Sequence, residues 1–359
     1  MIFKRKTDIS GLFFLLSVII ILTGCMKDDQ WVKDHLQQGN VQIPSNGIFV
    51  VNEGNFMYGN ATLSCYDTLK QVVQNDLFYK VNGLPLGDVA ESMEIYHSKG
   101  FIVVNNSGKI YEIDLTTGKY TGKITGLISP RHIHFINDQK AYVTDLYASK
   151  IAIVNPATSQ ITGYISTPSH PSTEEMVQFG SYLYVTCWSG DKTVLIIDSS
   201  KDQIIAEIAT GDQPSGIVLD KYNKIWVLCQ SLPGNNQSGN ASLVRIDPVS
   251  NTVDRSINFA AGAKPVKLTI DGKGEDLFFL LSNSIFKMSV QDNHLPDQPY
   301  VSMSAKLLYG LGIDPVNGNI YASDALDYQQ SGVISRFSAS GKLLDSFKAG
   351  IIPGSFCFR

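Results

Sequence analysis

A chain of 359 residues with 43% hydrophobic residues and 30 glycines carries enough apolar material for a large buried core and enough glycine for many turns. Its formal charge of −4, with 29 basic against 33 acidic residues, leaves no basic stripe to neutralise phosphates and argues against a nucleic-acid partner. The five cysteines show no Cys-x-x-Cys pair and no cysteine–histidine spacing, which argues against a zinc site.

Lys4, Arg5 and Lys6 precede an almost wholly apolar run over residues 11–22, too short for a permanent membrane span, and predict a secretory signal. The run ends in Leu22-Thr23-Gly24-Cys25, which resembles a bacterial lipobox and implies cleavage after residue 24 and acylation of Cys25. Without residues 1–24 the balance is 26 basic against 32 acidic residues, a charge of −6. Met26-Lys27-Asp28-Asp29 resembles the export signal that sends lipoproteins of Gram-negative gut anaerobes to the outer face of the outer membrane. Residues 25–46 are expected to be a polar tether, and residues 47–359 one folded domain.

From Gly47 onward the chain repeats one pattern seven times: a short apolar run, a polar turn, a β-branched and aromatic run, a loop, and a strand that ends on a turn residue. The clearest copy begins at Gln213 and reads QPSGIVLD, KIWVLC and, after a loop, SLVRIDP, with Trp226 inside a strand and read as packing. The closing strands carry Tyr66-Asp67, Ile113-Asp114, Val154-Asn155, Ile197-Asp198, Ile246-Asp247, Met288-Ser289 and Phe337-Ser338. Asp67 to Ser338 in six steps is about 45 residues per unit, the length of a four-stranded propeller blade. The prediction is an all-β, seven-bladed β-propeller of four-stranded antiparallel blades.

The first unit begins directly on Gly47-Ile48-Phe49-Val50-Val51, with no innermost strand before it, while the chain ends on Pro353-Gly354-Ser355-Phe356-Cys357-Phe358, an opening with no unit after it. The C-terminal strand is therefore expected to complete the first blade and close the propeller. Cys65, Cys187, Cys229 and Cys357 fall in or at the end of strands and read as buried free thiols; Cys187 and Cys229 hold equivalent places in adjacent units, too far apart for a disulfide.

Loops between the second and third strands are expected to open on one face and carry ligand contacts. They are unequal: 52–61, 229–241 and 323–331 are long, 144–149 and 186–192 medium, 105–109 and 282–284 short. The predicted ligand-binding residues are Asn52, Glu53, Asn55, Phe56, Tyr58, Asp145, Tyr147, Trp188, Gln230, Asp324 and Tyr328, with Asn60, Asn235, Asn236 and Asp327 in the same loops. Aromatic faces with amides and carboxylates suit a ligand fringed by amides or hydroxyls, although Asn and Asp also serve as turn formers. No nucleophile elbow, zinc-protease helix, phosphate loop or dinucleotide fingerprint is present. His132 and His134 read as packed, and Glu174 and Glu175, adjacent on a strand, are expected to point to opposite faces rather than form a dyad.

The repeated units, with Ile113-Asp114-Leu115-Thr116-Thr117-Gly118 and Ile246-Asp247-Pro248 among the best copies, resemble the seven-bladed bacterial surface-layer and quinoprotein-like β-propellers over residues 47–358. Phe49-Val50-Val51-Asn52-Glu53-Gly54-Asn55-Phe56, with the lipobox and Lys-Asp-Asp, resembles the surface lipoproteins that capture cobalamin (vitamin B12) for a TonB-dependent outer-membrane transporter. That resemblance implies a non-enzymatic binding protein without a cofactor, anchored in the outer membrane by lipid alone, with a corrinoid as ligand and the transporter as partner. Two rivals differ in class: a propeller hydrolase or lyase using a channel metal held by His132, His134 or Glu174, and a glycan-binding lipoprotein.

Overall fold

The computed structural model describes residues 43–231 and 240–359. The signal sequence, Cys25, the Lys-Asp-Asp segment, Asn235 and Asn236 lie outside the described residues. No helix among the described residues is long and apolar enough to cross a membrane.

The repeated aspartate is a turn device. Asp67 accepts the amides of Leu69 and Lys70, Asp114 those of Thr116 and Thr117, Asp198 that of Ser200 and Asp247 that of Val249. In each case the carboxylate takes up amides that the hairpin leaves free, so the strand stops there and the chain folds back.

The strands assemble into seven four-stranded antiparallel sheets. Blades 2 to 7 start from the innermost strands Ala90–Tyr96, Pro130–Asn137, Thr173–Phe179, Pro214–Leu219, Val266–Ile270 and Leu308–Ile313, and each follows the order of the chain. Blade 1 combines Gly47–Asn52, Thr62–Asp67 and Val72–Gln74 with the C-terminal Pro353–Phe358 as its innermost strand. Each innermost strand packs on those of both neighbours, so the propeller closes as the two ends of the chain imply.

The core lies between blades. In blade 5 all five residues of Ile225–Cys229 are buried: Ile225, Val227 and Cys229 pack with Tyr184, Val194 and Ile196 of blade 4, while Trp226 and Leu228 pack with Leu277 and Phe279 of blade 6. Both faces of the strand are covered, which is why it reads as a continuous apolar run rather than an alternating one. Cys65, Cys187, Cys229 and Cys357 are free and buried, as expected.

Two features add to the strands. The described core includes Ile43, ahead of the first strand: its side chain enters the core, its amide donates to Thr116 O at 3.1 Å, and the Arg359 guanidinium donates to its carbonyl at 2.7 Å. A six-residue helix, Leu77–Asn82, stands between blades 1 and 2, with Leu77, Phe78 and Val81 buried in the same cluster.

Candidate functional site

Near its start, each innermost strand slips register against its neighbour. The slips fall between Ala90 and Ser92, Pro130 and Ile133, Thr173 and Met176, Pro214 and Gly216, Val266 and Thr269, and Leu308 and Leu311. In blade 1, Val51 pairs with Ser355 and Asn52 with Pro353, passing over Gly354. Such a bulge re-aims the extra side chain. The residues within these slips include Glu91, Arg131, Glu174 with Glu175, Ser215, Lys267, Tyr309 and Gly354. At Gly354 there is no side chain because the Glu53 carboxylate occupies the space that a Cβ would need.

These side chains form the floor of a crater of about 710 Å³, lined by Arg131, Glu174, Glu175, Ser215, Lys264, Lys267 and Tyr309, with Trp188, Gln230 and Tyr328 as its wall. Both glutamates line it, which corrects the expectation that they diverge: the bulge between Thr173 and Met176 breaks the alternation on which that expectation rests. Glu174 takes the Arg131 guanidinium in a two-pronged contact, Nε to Oε2 at 2.8 Å and Nη2 to Oε1 at 2.6 Å, while Nη1 of Arg131 bonds Glu91. Glu175 instead accepts the Ile217 amide at 3.1 Å. Tyr309 donates its hydroxyl to Glu53 at 2.9 Å. Lys267 Nζ lies 5.6 Å from the Tyr309 ring centroid, and among the described residues neither Lys264 nor Lys267 has a carboxylate within ion-pair distance.

Burial shifts these groups, and the charges around them add to or oppose it. Burial, and then the Glu91 charge, raise the Glu53 carboxyl from 4.5 to about 7, and burial raises Glu175 to about 7. Burial pushes His132 down to about 4, so it is neutral at pH 7. A carboxyl whose folded pKa is raised contributes stability that is full below its unfolded pKa and lost as pH rises through the folded value. For Glu53 the window runs from 4.5 to about 7. Glu53→Gln is expected to flatten the fall in stability between about pH 5 and about pH 8, read by urea denaturation at both. An unchanged difference between the two pH values would show that Glu53 titrates normally.

The structure sorts the predicted ligand residues. Trp188, Gln230 and Tyr328 come together at the crater: Trp188 Nε1 donates to Gln230 Oε1 at 3.4 Å, and the Tyr328 and Tyr309 rings meet edge to face at 5.8 Å, while Glu53 does not line the crater and reaches it only through the Tyr309 hydroxyl. Asn55 sits at its margin, its amide bonded to the Tyr328 carbonyl. Phe56 and Tyr58 are 65% and 79% exposed on the loop of blade 1. Tyr147 is 70% exposed and does not line the crater.

Asn52, Asp145 and Asp324 are corrections. Asn52 is fully buried, bonded to Ser64 Oγ at 2.9 Å and accepting the Gly350 amide at 3.0 Å. Asp145 accepts the amides of Ser129 and Tyr147, and Asp324 those of Lys306, Leu307 and Leu326. Asp145 and Asp324 spend their carboxylates on backbone amides, the ordinary use of Asp at a strand end, and Asn52 divides its amide between backbone groups and the hydroxyls of Thr62 and Ser64. Glu91, Lys267 and Tyr309 were missed, because each sits in a stretch that reads as plain strand.

Fold and site together define a seven-bladed β-propeller with a charged, aromatic-walled crater on one face. The chain belongs to a family described as "Domain of unknown function (DUF5074)", whose model matches residues 46–349. No curated protein matches it. Among solved structures it is similar to a quinonprotein alcohol dehydrogenase-like protein of Bacteroides thetaiotaomicron, at 16% identity and a TM-score of 0.67, over 89% of this chain and 79% of that one. It is also similar to a functionally unknown protein of Desulfotomaculum acetoxidans, at 13% identity and a TM-score of 0.68, over 88% of this chain and 99% of that one. Virginiamycin B lyase of Staphylococcus aureus is a third, at 15% identity and a TM-score of 0.60, over 75% of this chain and 88% of that one. At these identities the likeness concerns the fold, and propellers host unrelated functions.

Proposed function

We propose that the protein is a non-enzymatic, lipid-anchored surface protein that captures cobalamin or a related corrinoid in the crater and passes it to a TonB-dependent outer-membrane transporter. The observation that carries the binding site is the crater itself: an open concavity with two aromatic walls, an amide at Gln230 and two lysines that form no ion pair among the described residues. Cobalamin is a broad disc fringed by amides and carries one phosphodiester. Trp188, Tyr309 and Tyr328 offer it flat apolar faces, Gln230 and Ser215 pair with amides, and Lys264 with Lys267 takes the phosphodiester. Anchoring at Cys25 and display outside the cell rest on the lipobox and Lys-Asp-Asp resemblances.

The hydrolase rival finds three donors in place, since Glu91, His132 and Glu174 each present a ligand atom within 4.8 Å of one another. The Arg131 guanidinium, however, already bridges the two carboxylates and holds its charge where a cation would go. His134 turns away to Gln178 at 3.0 Å.

The test is calorimetric titration of the purified protein with cyanocobalamin beside a glycan panel and a lactone-turnover assay. Cobalamin binding is expected, with Trp188→Ala weakening it by about 2 kcal/mol, roughly thirtyfold, if it acts as a central anchor. Lys264→Ala with Lys267→Ala is expected to weaken it further, and Tyr147→Ala to leave it unchanged. Sugar binding or metal-dependent turnover without cobalamin binding would replace this reading with the corresponding rival.

A further inference from the structure

We propose that His170, Cys187 and Asp191 form a binding site for a zinc-class divalent transition-metal ion within blade 4, separate from the crater, with Glu207 as the outer partner that takes the proton of the other imidazole nitrogen. His170 lies in the segment that leads into Thr173–Phe179, Cys187 ends the strand Tyr182–Cys187, Asp191 follows in the next loop, and Glu207 stands on the outer strand Gln203–Ala209. The first three each present one ligand atom, all within 4.8 Å of one another. Glu207 Oε2 lies 3.4 Å from His170 Nε2. One nitrogen, one sulfur and one oxygen make a three-donor set that zinc takes at about 2.0–2.3 Å, with the fourth tetrahedral position left to water.

The surroundings fit a prebuilt site. Cys187 is fully buried and His170 nearly so, while the Glu207 side chain is 56% exposed, so the cluster lies just under the surface with one open side. Asp191 is held in place: Oδ1 accepts the Lys192 amide at 2.6 Å and Oδ2 meets His170 Nδ1 at 2.7 Å. The backbone of the leading segment is pinned by Thr167 N to Ser149 O and His170 N to Thr167 O, each at 2.9 Å.

A simple His170–Asp191 pair does not account for the thiol placed beside it. His170 Nε2 and the hydroxyls of Thr167 and Ser172, all on that one segment, are buried without a hydrogen-bond partner. Buried polar atoms are rarely left so. The ligands are spread over residues 170 to 191 on separate elements, which is why no short spacing announces them in the sequence. Binding replaces the His170–Asp191 hydrogen bond with two metal bonds and turns the Cys187 thiol into a metal-bound thiolate, releasing its proton to solvent.

The test is titration of the purified, chelator-stripped full chain with Co²⁺. One equivalent is expected to bind with thiolate-to-cobalt charge-transfer absorption and to be displaced by Zn²⁺. Cys187→Ser is expected to abolish that absorption, and Cys229→Ser, at the equivalent place in blade 5, to leave it intact. Glu207→Gln, exposed and harmless to folding, is expected to weaken binding at least about tenfold. No binding by the wild-type chain at on the order of 10 μM, or a band that survives Cys187→Ser, overturns the site. Wild-type affinity in Glu207→Gln overturns the role of Glu207 as the outer partner of His170.

Discussion

Removal of residues 353–359 is expected to abolish cooperative folding. Pro353–Phe358 is the innermost strand of blade 1, and all six residues of its partner Gly47–Asn52 are buried. Without it, the facing amides and carbonyls of Gly47–Asn52 lose their partners in a place water reaches poorly, each at a cost of about 1–3 kcal/mol. The loss extends to both neighbours. Cys357 leaves the cluster shared with blade 2, and Phe356 and Phe358 leave the Tyr321 ring of blade 7, with centroids at 6.0 and 5.6 Å. Ser323 loses its bond to the Pro353 carbonyl at 2.6 Å. The sum exceeds the roughly 5–15 kcal/mol that holds an ordinary domain. The truncated chain should be insoluble or melt without a cooperative transition, and a synthetic peptide of the missing strand should restore folding in trans by strand addition. A truncated protein that melts like the full chain would refute closure through this strand. Gly312→Val is a milder version, since a Cβ there meets Phe356 Cβ at 2.8 Å.

Strand closure was legible because it depends on local patterns: an unpaired opening at one end, an unpaired innermost strand at the other, and a turn residue at each repeat. Asp114 and Asp247 announce their turns by chemistry that acts within three residues of themselves. The crater was only half legible. Trp188, Gln230 and Tyr328 stood out as loop residues on a regular scaffold, whereas Asn52, Asp145 and Asp324 were drawn in by the same composition rule and bond within their own blades. Its floor was hidden by the bulges, since reading a strand by alternation assigns each residue to the wrong side once one extra residue is inserted. A usable signal exists all the same. Taking the residue just after the last regular pair of each innermost strand gives Glu91, Arg131, Glu174, Ser215, Lys267, Tyr309 and Gly354, a set with five polar or charged side chains and one tyrosine where a core strand would place apolar ones. The His170, Cys187 and Asp191 cluster of blade 4 left no such trace, because its members meet only after folding.

Replacing Arg131 by methionine is expected to destabilise the protein by about 3–5 kcal/mol, the ordinary cost of removing one partner from a buried ion pair. Arg131 is the single cation between Glu91 and Glu174, and all three side chains are no more than 15% exposed. Without it, two carboxylates face one another in a poorly solvated crater with Glu53 close by, and each must take up a proton or repel the others. The loss should therefore shrink in acid, where protonation removes the repulsion. The triple variant carrying Arg131→Met, Glu91→Gln and Glu174→Gln should recover most of the stability, since removing charges together costs far less than stranding two of them. His132 supplies a second readout: burial and then, against the pull of Glu91, the Arg131 charge hold it down to about 4, so loss of the guanidinium should raise its titration, visible in the imidazole resonances. The single variant also frees Glu91, His132 and Glu174 as a three-donor set, and a divalent cation should restore part of its stability while leaving the wild-type floor unaffected. Denaturation midpoints for the single and triple variants at two pH values, with and without Mn²⁺, separate these effects. A single variant as stable as the wild type would show that the Arg131 network contributes nothing to holding the crater floor.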